Sequence, residues 1–245
     1  MPRTMTRVVV ALAFESSNPM TILNPDTLTS DPETGLSYRL MQPLPRLVRR
    51  CLVLLHGVGS NELSVAGLAQ GVSEDTLVAL VQGPFALGPQ QFAWFQVAFT
   101  ANGPRIEPQQ AERSRQALIQ LLAQLQRQYG VLPNQTMVAG FSQGGIMSAG
   151  VALTSPESVA GFGLLSGRIL PEIEPFLARE DQLVNLQAFV GHGEYDSKLP
   201  VDWAYCSHNW LEKLGVRHTL NLYPIDHSIS QQMHEDFLRW WATLD

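Results

Sequence analysis

Short, almost wholly apolar runs alternate with longer amphipathic stretches along this chain. Residues 52–55, 76–81, 135–139, 159–165 and 186–190 are such runs, the pattern of strands buried on both faces of a sheet. Residues 36–41 alternate weakly and suit an edge strand, with Pro43 and Pro45 forcing the loop that follows. Residues 218–223 read as the last strand. Between them the period changes to three and four. Ala111, Leu118, Leu121, Leu122, Leu125 and Tyr129 mark one face of a helix with Pro108 in its first turn and Gly130 at its end. Residues 146–153 form a second helical stretch, and a third runs from Pro200 to Leu214 and stops at Gly215. Ser228 with Gln231 predicts a capping box for a final helix that turns Ile229, Met233, Phe237, Trp240, Trp241 and Leu244 to the core. Strands alternating with helices predict an α/β fold, a mainly parallel sheet covered by helices on both faces. Residues 166–185 are polar, contain Pro171 and Pro175, and read as an excursion over the active edge of the sheet. Residues 1–35 read as an N-terminal arm and 36–245 as one domain, a length suited to a single α/β core.

The chemistry gathers where apolar runs end. Residues 140–144 have the form G-x-S-x-G, after one apolar run and before a helical one. A sharp strand-to-helix turn lifts the serine hydroxyl off the sheet, and small residues on either side let the two elements approach. Gly140 and Gly144 are those residues, Ser142 is the candidate nucleophile, and the Gln143 N–H lies at a helix N-terminus ready for developing negative charge. The run 52–55 delivers a second glycine-rich turn, residues 56–62. A dinucleotide fingerprint there requires glycine at position 62, which is Glu62, so the turn reads instead as the loop supplying a second oxyanion donor, the Val58 N–H. His56, at the strand end, reads as a structural hydrogen-bonding residue.

A serine needs a base, and the base needs a carboxylate to fix its tautomer. In the order Ser, Asp, His, each on a loop after a strand, Ser142, Asp196 and His227 fit; Glu194, Asp202 and Asp226 are the rival acids. His192, His208, His218 and His234 fall on routine strand and helix positions. Phe92, Trp94 and Phe95, on a long aromatic loop, read as an apolar wall for an acyl chain. His192 with Glu194 and Asp196 lacks further ligands at recognisable spacing, so neither a metal nor a cofactor is expected.

Composition narrows the field. With 16% charged residues and a net charge of −6, no basic surface for nucleic acid is expected, and Arg46, Arg49 and Arg50 read as a solvated loop. The 2 cysteines, Cys51 and Cys206, predict buried, reduced thiols rather than a disulfide framework. No run is long enough to span a bilayer. Arg3 and Arg7 before residues 8–14 mimic a signal peptide, but Glu15 stands where a cleavage site belongs, so a cytoplasmic protein is expected, with Met20 as a second candidate start. A homodimer is left open.

Residues 54–59, the G-F-S-Q-G-G segment 140–145, residues 192–196 and the late His227 together resemble the acyl-protein thioesterase, carboxylesterase and lysophospholipase group of α/β-hydrolases. The resemblance runs from about Leu36 to the C-terminus. It implies an α/β-hydrolase fold with little or no lid, Ser142, Asp196 and His227 as catalytic residues, Val58 and Gln143 as oxyanion donors, and a small-molecule ester or thioester as substrate. Val58 stands where the family usually has Leu, and Asp226 where Gly is common. The expectation is a serine esterase for short-to-medium acyl chains, with lysophospholipase or acyl-protein thioesterase activity as the alternative. A non-catalytic ligand-binding module of the same fold is the rival from another class.

Overall fold

The computed structural model describes residues 24–100 and 103–244. Its centre is a 9-stranded sheet. In chain order its strands are β1 (Asn24–Pro25), β2 (Thr29–Ser30), β3 (Ser37–Gln42), β4 (Arg50–Leu55) and β5 (Thr76–Gln82). Two small hairpins follow, β6 (Phe85–Gly88) with β7 (Gln91–Ala93) and β8 (Val97–Thr100) with β9 (Gly103–Ile106). The sheet resumes with β10 (Thr136–Phe141), β11 (Gly161–Leu165), β12 (Gln187–Gly193) and β13 (Arg217–Tyr223). The order across it is β1-β3-β5-β4-β10-β11-β12-β13, with β2 also paired to β3. Strands β4, β5 and β10 to β13 are mutually parallel; β1, β2 and β3 run antiparallel to their neighbours.

Helices α1 (Pro108–Tyr129), α2 (Gln143–Thr154), the single turn α3 (Glu180–Leu183), α4 (Asp202–Lys213) and α5 (Gln231–Ala242) flank the sheet. Period two explains the layering. Along β4, Cys51, Val53 and Leu55 face a core shared with α1, α2 and α4, while Leu52 and Leu54 face a second core closed by α5 and the 3-10 segment Glu62–Ala69. Both faces are dry, which is why this strand is apolar throughout. Pro108 at the start of α1, and Gly130 and Gly215 at φ 68° and 67°, begin and end helices as the sequence predicts.

Four local expectations change. The strand expected at the sheet edge, β3, is not outermost, because β1 and β2 pair with it on the side away from β5. The final helix is capped by Ser230, whose hydroxyl accepts the Met233 N–H at 3.1 Å, rather than by Ser228, because Ser230 is itself still extended and the helix starts only at Gln231. Residues 166–185 are not simply a polar excursion, since Ile169, Leu170, Ile173 and Leu183 are buried and dock the segment onto the helix layer. Cys206 is exposed, because α4 turns Ala204, Ser207 and Leu211 inward instead. Cys51 is buried as expected, and burial pushes its thiol up to about 12. An aromatic disulfide reagent at pH 8 is therefore expected to titrate Cys206 alone in the native protein and both thiols after denaturation; rapid reaction of both in the native state would contradict this burial.

No helix among the described residues is long and apolar enough to cross a membrane. The Met20 start and the signal-like residues 8–14 lie outside the described residues.

Candidate active site

Ser142 sits between β10 and α2 at φ 54° and ψ −118°, a region disfavoured for any residue with a Cβ. Such strain costs on the order of 1–3 kcal/mol and persists only where neighbours over-determine it. The Ser142 N–H donates to the Leu165 carbonyl at 2.8 Å, tying the turn to β11. A Cβ on Gly140 would lie 2.3 Å from the carbonyl carbon of Gly144, and one on Gly144 would lie 2.1 Å from the Leu55 oxygen. Strand β10, strand β4 and the start of α2 thus meet backbone to backbone, and only glycine fits at those two positions.

The three residues predicted from their order along the chain are brought together. Ser142 Oγ lies 2.9 Å from His227 Nε2, and His227 Nδ1 lies 2.7 Å from Asp196 Oδ2. Asp196, buried just past the end of β12, also accepts the Lys198 and Leu199 N–H groups at 2.9 and 2.8 Å through Oδ1. Its carboxylate therefore has partners on both oxygens. A carboxylate on Nδ1 makes that nitrogen the donor and leaves Nε2 to accept from the serine hydroxyl. The Phe141 ring packs on the imidazole at 4.9 Å between centroids.

None of the rival acids takes Asp196's place. Asp226 turns away from the ring, its Oδ1 accepting the N–H groups of Ser197 and His227, each at 2.7 Å. These bonds, the Ser197 one foremost, hold its carboxyl below the usual range. Asp226 therefore staples the loop carrying Asp196 to the loop carrying His227. Asp202 lies in the first turn of α4, and Glu194 is exposed.

The two candidate oxyanion donors, Val58 and Gln143, line the same cavity as Ser142. The Gln143 N–H is the first of α2, where no intrahelical carbonyl can accept it. No backbone carbonyl among the described residues accepts from the Val58 N–H. The Gln143 side chain has a separate task. Its Oε1 accepts the Trp94 N–H and its Nε2 donates to the Phe95 carbonyl, both at 2.7 Å. The loop bearing Val58 is clamped in turn, with Gly59 donating to Phe92 and Phe92 to Ser60 at 2.9 and 2.8 Å.

His56 is a structural residue. It is buried, with Nδ1 2.7 Å from the Gly57 carbonyl and Nε2 accepting the Gly83 N–H at 2.9 Å, so the ring is neutral. His192 is equally buried and donates from Nε2 to the Leu199 carbonyl at 2.8 Å, bracing the Asp196 loop. Burial holds both imidazoles below their ordinary range, against smaller opposing contributions from their backbone partners and nearby acids. The unfolded chain then takes up protons near pH 6.5 while the fold does not, so their contribution is complete above that pH and is lost as the pH falls. Unfolding free energies from urea titrations between about pH 7.5 and 5 are expected to fall, with a limiting slope of about 1.4 kcal/mol per pH unit for each histidine. A flat profile would refute the assignment.

Beside Ser142 opens a cavity of 850 Å³, whose wall includes Val58, Phe95, Phe141, Ile146, Arg168 and His227. Of the three aromatic residues expected to form an acyl wall, Phe95 alone lines it. Trp94 is fully buried and donates its indole N–H to the His56 carbonyl at 2.9 Å. Phe92 is half-buried in the hairpin that clamps the Val58 loop. Both therefore support the site from behind. Sequence reasoning missed Arg168. It follows β11, the neighbour of β10, and position alone marks that strand end as close to Ser142.

Elsewhere among the described residues, His208, Glu212 and His218 place ligand-type atoms within 4.8 Å of one another. The two rings share a 2.7 Å hydrogen bond, which accounts for their approach without an ion.

Residues 46–244 match the family model described as Phospholipase/Carboxylesterase. Acyl-protein thioesterase 1 of Eremothecium gossypii is 26% identical over 201 residues, which cover 76% of this chain and 84% of that protein. The Kluyveromyces lactis protein of the same name is 25% identical over 177 residues, covering 67% and 77%. Among solved structures, a carboxylesterase from Mesorhizobium loti superposes with a TM-score of 0.75 at 19% identity, covering 89% of this chain and 99% of its own. The Bacillus cereus carboxylesterase gives 0.72 at 19%, covering 86% and 95%. At these identities the structural likeness speaks for the fold, and the family match speaks for descent: the chain belongs to the phospholipase/carboxylesterase family of α/β-hydrolases.

Proposed function

We propose that the protein is a serine esterase that hydrolyses carboxylic esters or thioesters of short-to-medium acyl chains through Ser142, His227 and Asp196. The observation that carries this reading is the continuous chain of hydrogen bonds from Asp196 through His227 to Ser142, at 2.7 and 2.9 Å, opening into a cavity. Ser142 Oγ attacks the substrate carbonyl as His227 Nε2 takes its proton. Asp196 holds the imidazole and stabilises the charge it gains. The oxyanion of the tetrahedral intermediate is received by the Val58 and Gln143 N–H groups, a contribution of about 3–4 kcal/mol for each well-placed donor. His227 then protonates the departing alcohol or thiol. Water, deprotonated by the same imidazole, attacks the acyl-enzyme, releasing the acid and restoring Ser142.

The relatives named as acyl-protein thioesterases favour thioesters as one substrate class, and the family description keeps lysophospholipids in view. Residues 36–245 acting as one catalytic unit, and a cytoplasmic setting, belong to the same proposal. The discriminating experiment is kcat/KM for p-nitrophenyl esters from acetate to palmitate beside the matching thioesters and lysophosphatidylcholine. A maximum between butyrate and octanoate is expected. No turnover of any member of the three series would refute the esterase reading.

A further inference from the structure

Every charged side chain lining the cavity beside Ser142 is a cation. Arg168 and Lys198 are among the lining residues, and among the described residues no aspartate or glutamate is, in a chain whose net charge is −6. Lys198 is exposed. Arg168 is not, with 7% of its surface accessible.

A buried arginine normally has a carboxylate partner, because the solvation lost on burial must be replaced. Arg168 makes no ion pair or hydrogen bond with any described residue. Its guanidinium carbon lies 4.4 Å from the Trp203 ring centroid, so one face is stacked and the N–H edge is left without a protein acceptor. Glu172, the charge whose field it feels, forms no salt bridge with it, and burial draws the Arg168 pKa down against that field. A guanidinium nevertheless stays charged under any physiological condition.

The backbone fixes Arg168 next to the chemistry. Ser166 takes φ 46°, and a Cβ on Gly167 would lie 3.0 Å from the Ser142 carbonyl oxygen, so the 166–168 segment runs directly against the nucleophile turn. Its far end is held by the Ile169 N–H donating to Ser207 Oγ at 3.2 Å, on the helix that carries Trp203. The side chain is thus anchored at its base, stacked on one face and open at its fork.

We infer that Arg168 forms an anion subsite of the Ser142 cavity and that the preferred substrate is an ester or thioester carrying a carboxylate away from the scissile carbonyl, such as a half-ester of a dicarboxylic acid. A planar carboxylate matches the guanidinium fork with two parallel hydrogen bonds, and Lys198 at the exposed side supplies a second positive charge to draw it in. This rests on the esterase reading and deepens it.

The test compares p-nitrophenyl hydrogen glutarate with its neutral methyl ester, p-nitrophenyl methyl glutarate, in the wild type and in Arg168→Met and Arg168→Lys. Replacement by Met is expected to lower the ratio of kcat/KM for the acid to that for the methyl ester by roughly 10- to 100-fold, the range of a charge-assisted hydrogen bond, with Lys restoring part of the loss. A ratio within twofold of wild type in the Met variant overturns the subsite. Should the variants fail to fold, competition in the wild type decides: glutarate is expected to inhibit hydrolysis of the methyl ester at least tenfold better than glutaramide. Equal inhibition overturns the proposal, as does inhibition by glycerol phosphate that exceeds glutarate's, which would assign the site to phosphate. Absence of turnover for both esters in the wild type would strike the esterase reading, whereas turnover without a charge preference strikes only the subsite.

Discussion

Alanine at position 142 is expected to reduce kcat for p-nitrophenyl butyrate by roughly 10⁴- to 10⁶-fold, the scale on which the members of a serine–histidine–acid unit act together. The side chain removed is the one whose Oγ lies 2.9 Å from His227 Nε2, and no other hydroxyl contacts that nitrogen among the described residues. Asp196→Asn is expected to cost about 10⁴-fold, because an amide can present its N–H to Nδ1 and so favour the wrong imidazole tautomer. Ser142→Ala should leave the thermal midpoint near or above that of the wild type. The native residue is held at φ 54°, and alanine at the same place loses only one hydroxyl from a site whose other contacts are backbone. A kcat within tenfold of the wild type in the purified alanine variant would contradict the assignment.

The second large effect is on the fold rather than the reaction. Gly144→Ala is expected to destabilise the protein by at least about 3 kcal/mol, beyond ordinary overpacking, because the new methyl would sit 2.1 Å from the Leu55 oxygen and 2.7 Å from the His56 oxygen. Neither neighbour is a side chain that can rotate. Relief would require prising α2 away from β4, the movement that would also carry the Gln143 N–H away from the loop after β4 that bears Val58. In a chain of 245 residues, a loss of that size lowers the thermal midpoint by roughly 6–12 °C. Gly67→Ala is the control, since a Cβ there meets nothing within 4 Å. Equal midpoints for the two variants would mean that the elbow is looser than its geometry indicates.

What could be read from the chain, and what could not, divides along a physical line. Ser142, Asp196 and His227 were legible as a set because each follows a predicted strand, and the ends of parallel strands fall at one edge of a sheet whatever the register. Gly140 and Gly144 were legible because close backbone approach leaves no other residue. The aromatic loop was misjudged because Trp94 and Phe95 fall between the two short hairpins, where no strand period applies, and composition does not say which ring faces the cavity. Phe95 reaches the cavity, whereas Trp94 is turned inward by its bond to the His56 carbonyl and by the Gln143 amide that holds its backbone. Arg168 was invisible for a different reason. A single arginine in a polar stretch looks solvated, and its burial depends on Trp203, far away in sequence, and on Gly167 lying against Ser142. The role of Asp226 was likewise set by a partner on another loop, Ser197.

The central claim is that the contact between His227 and Ser142 makes that hydroxyl a nucleophile. It is tested most directly by treating the native protein with a fluorophosphonate and locating the adduct by peptide mass spectrometry, beside His227→Ala under the same conditions. The account predicts stoichiometric modification of Ser142 in the wild type and a rate at least about 10³-fold lower in the variant. Modification at another residue, or an undiminished rate without the imidazole, would contradict it.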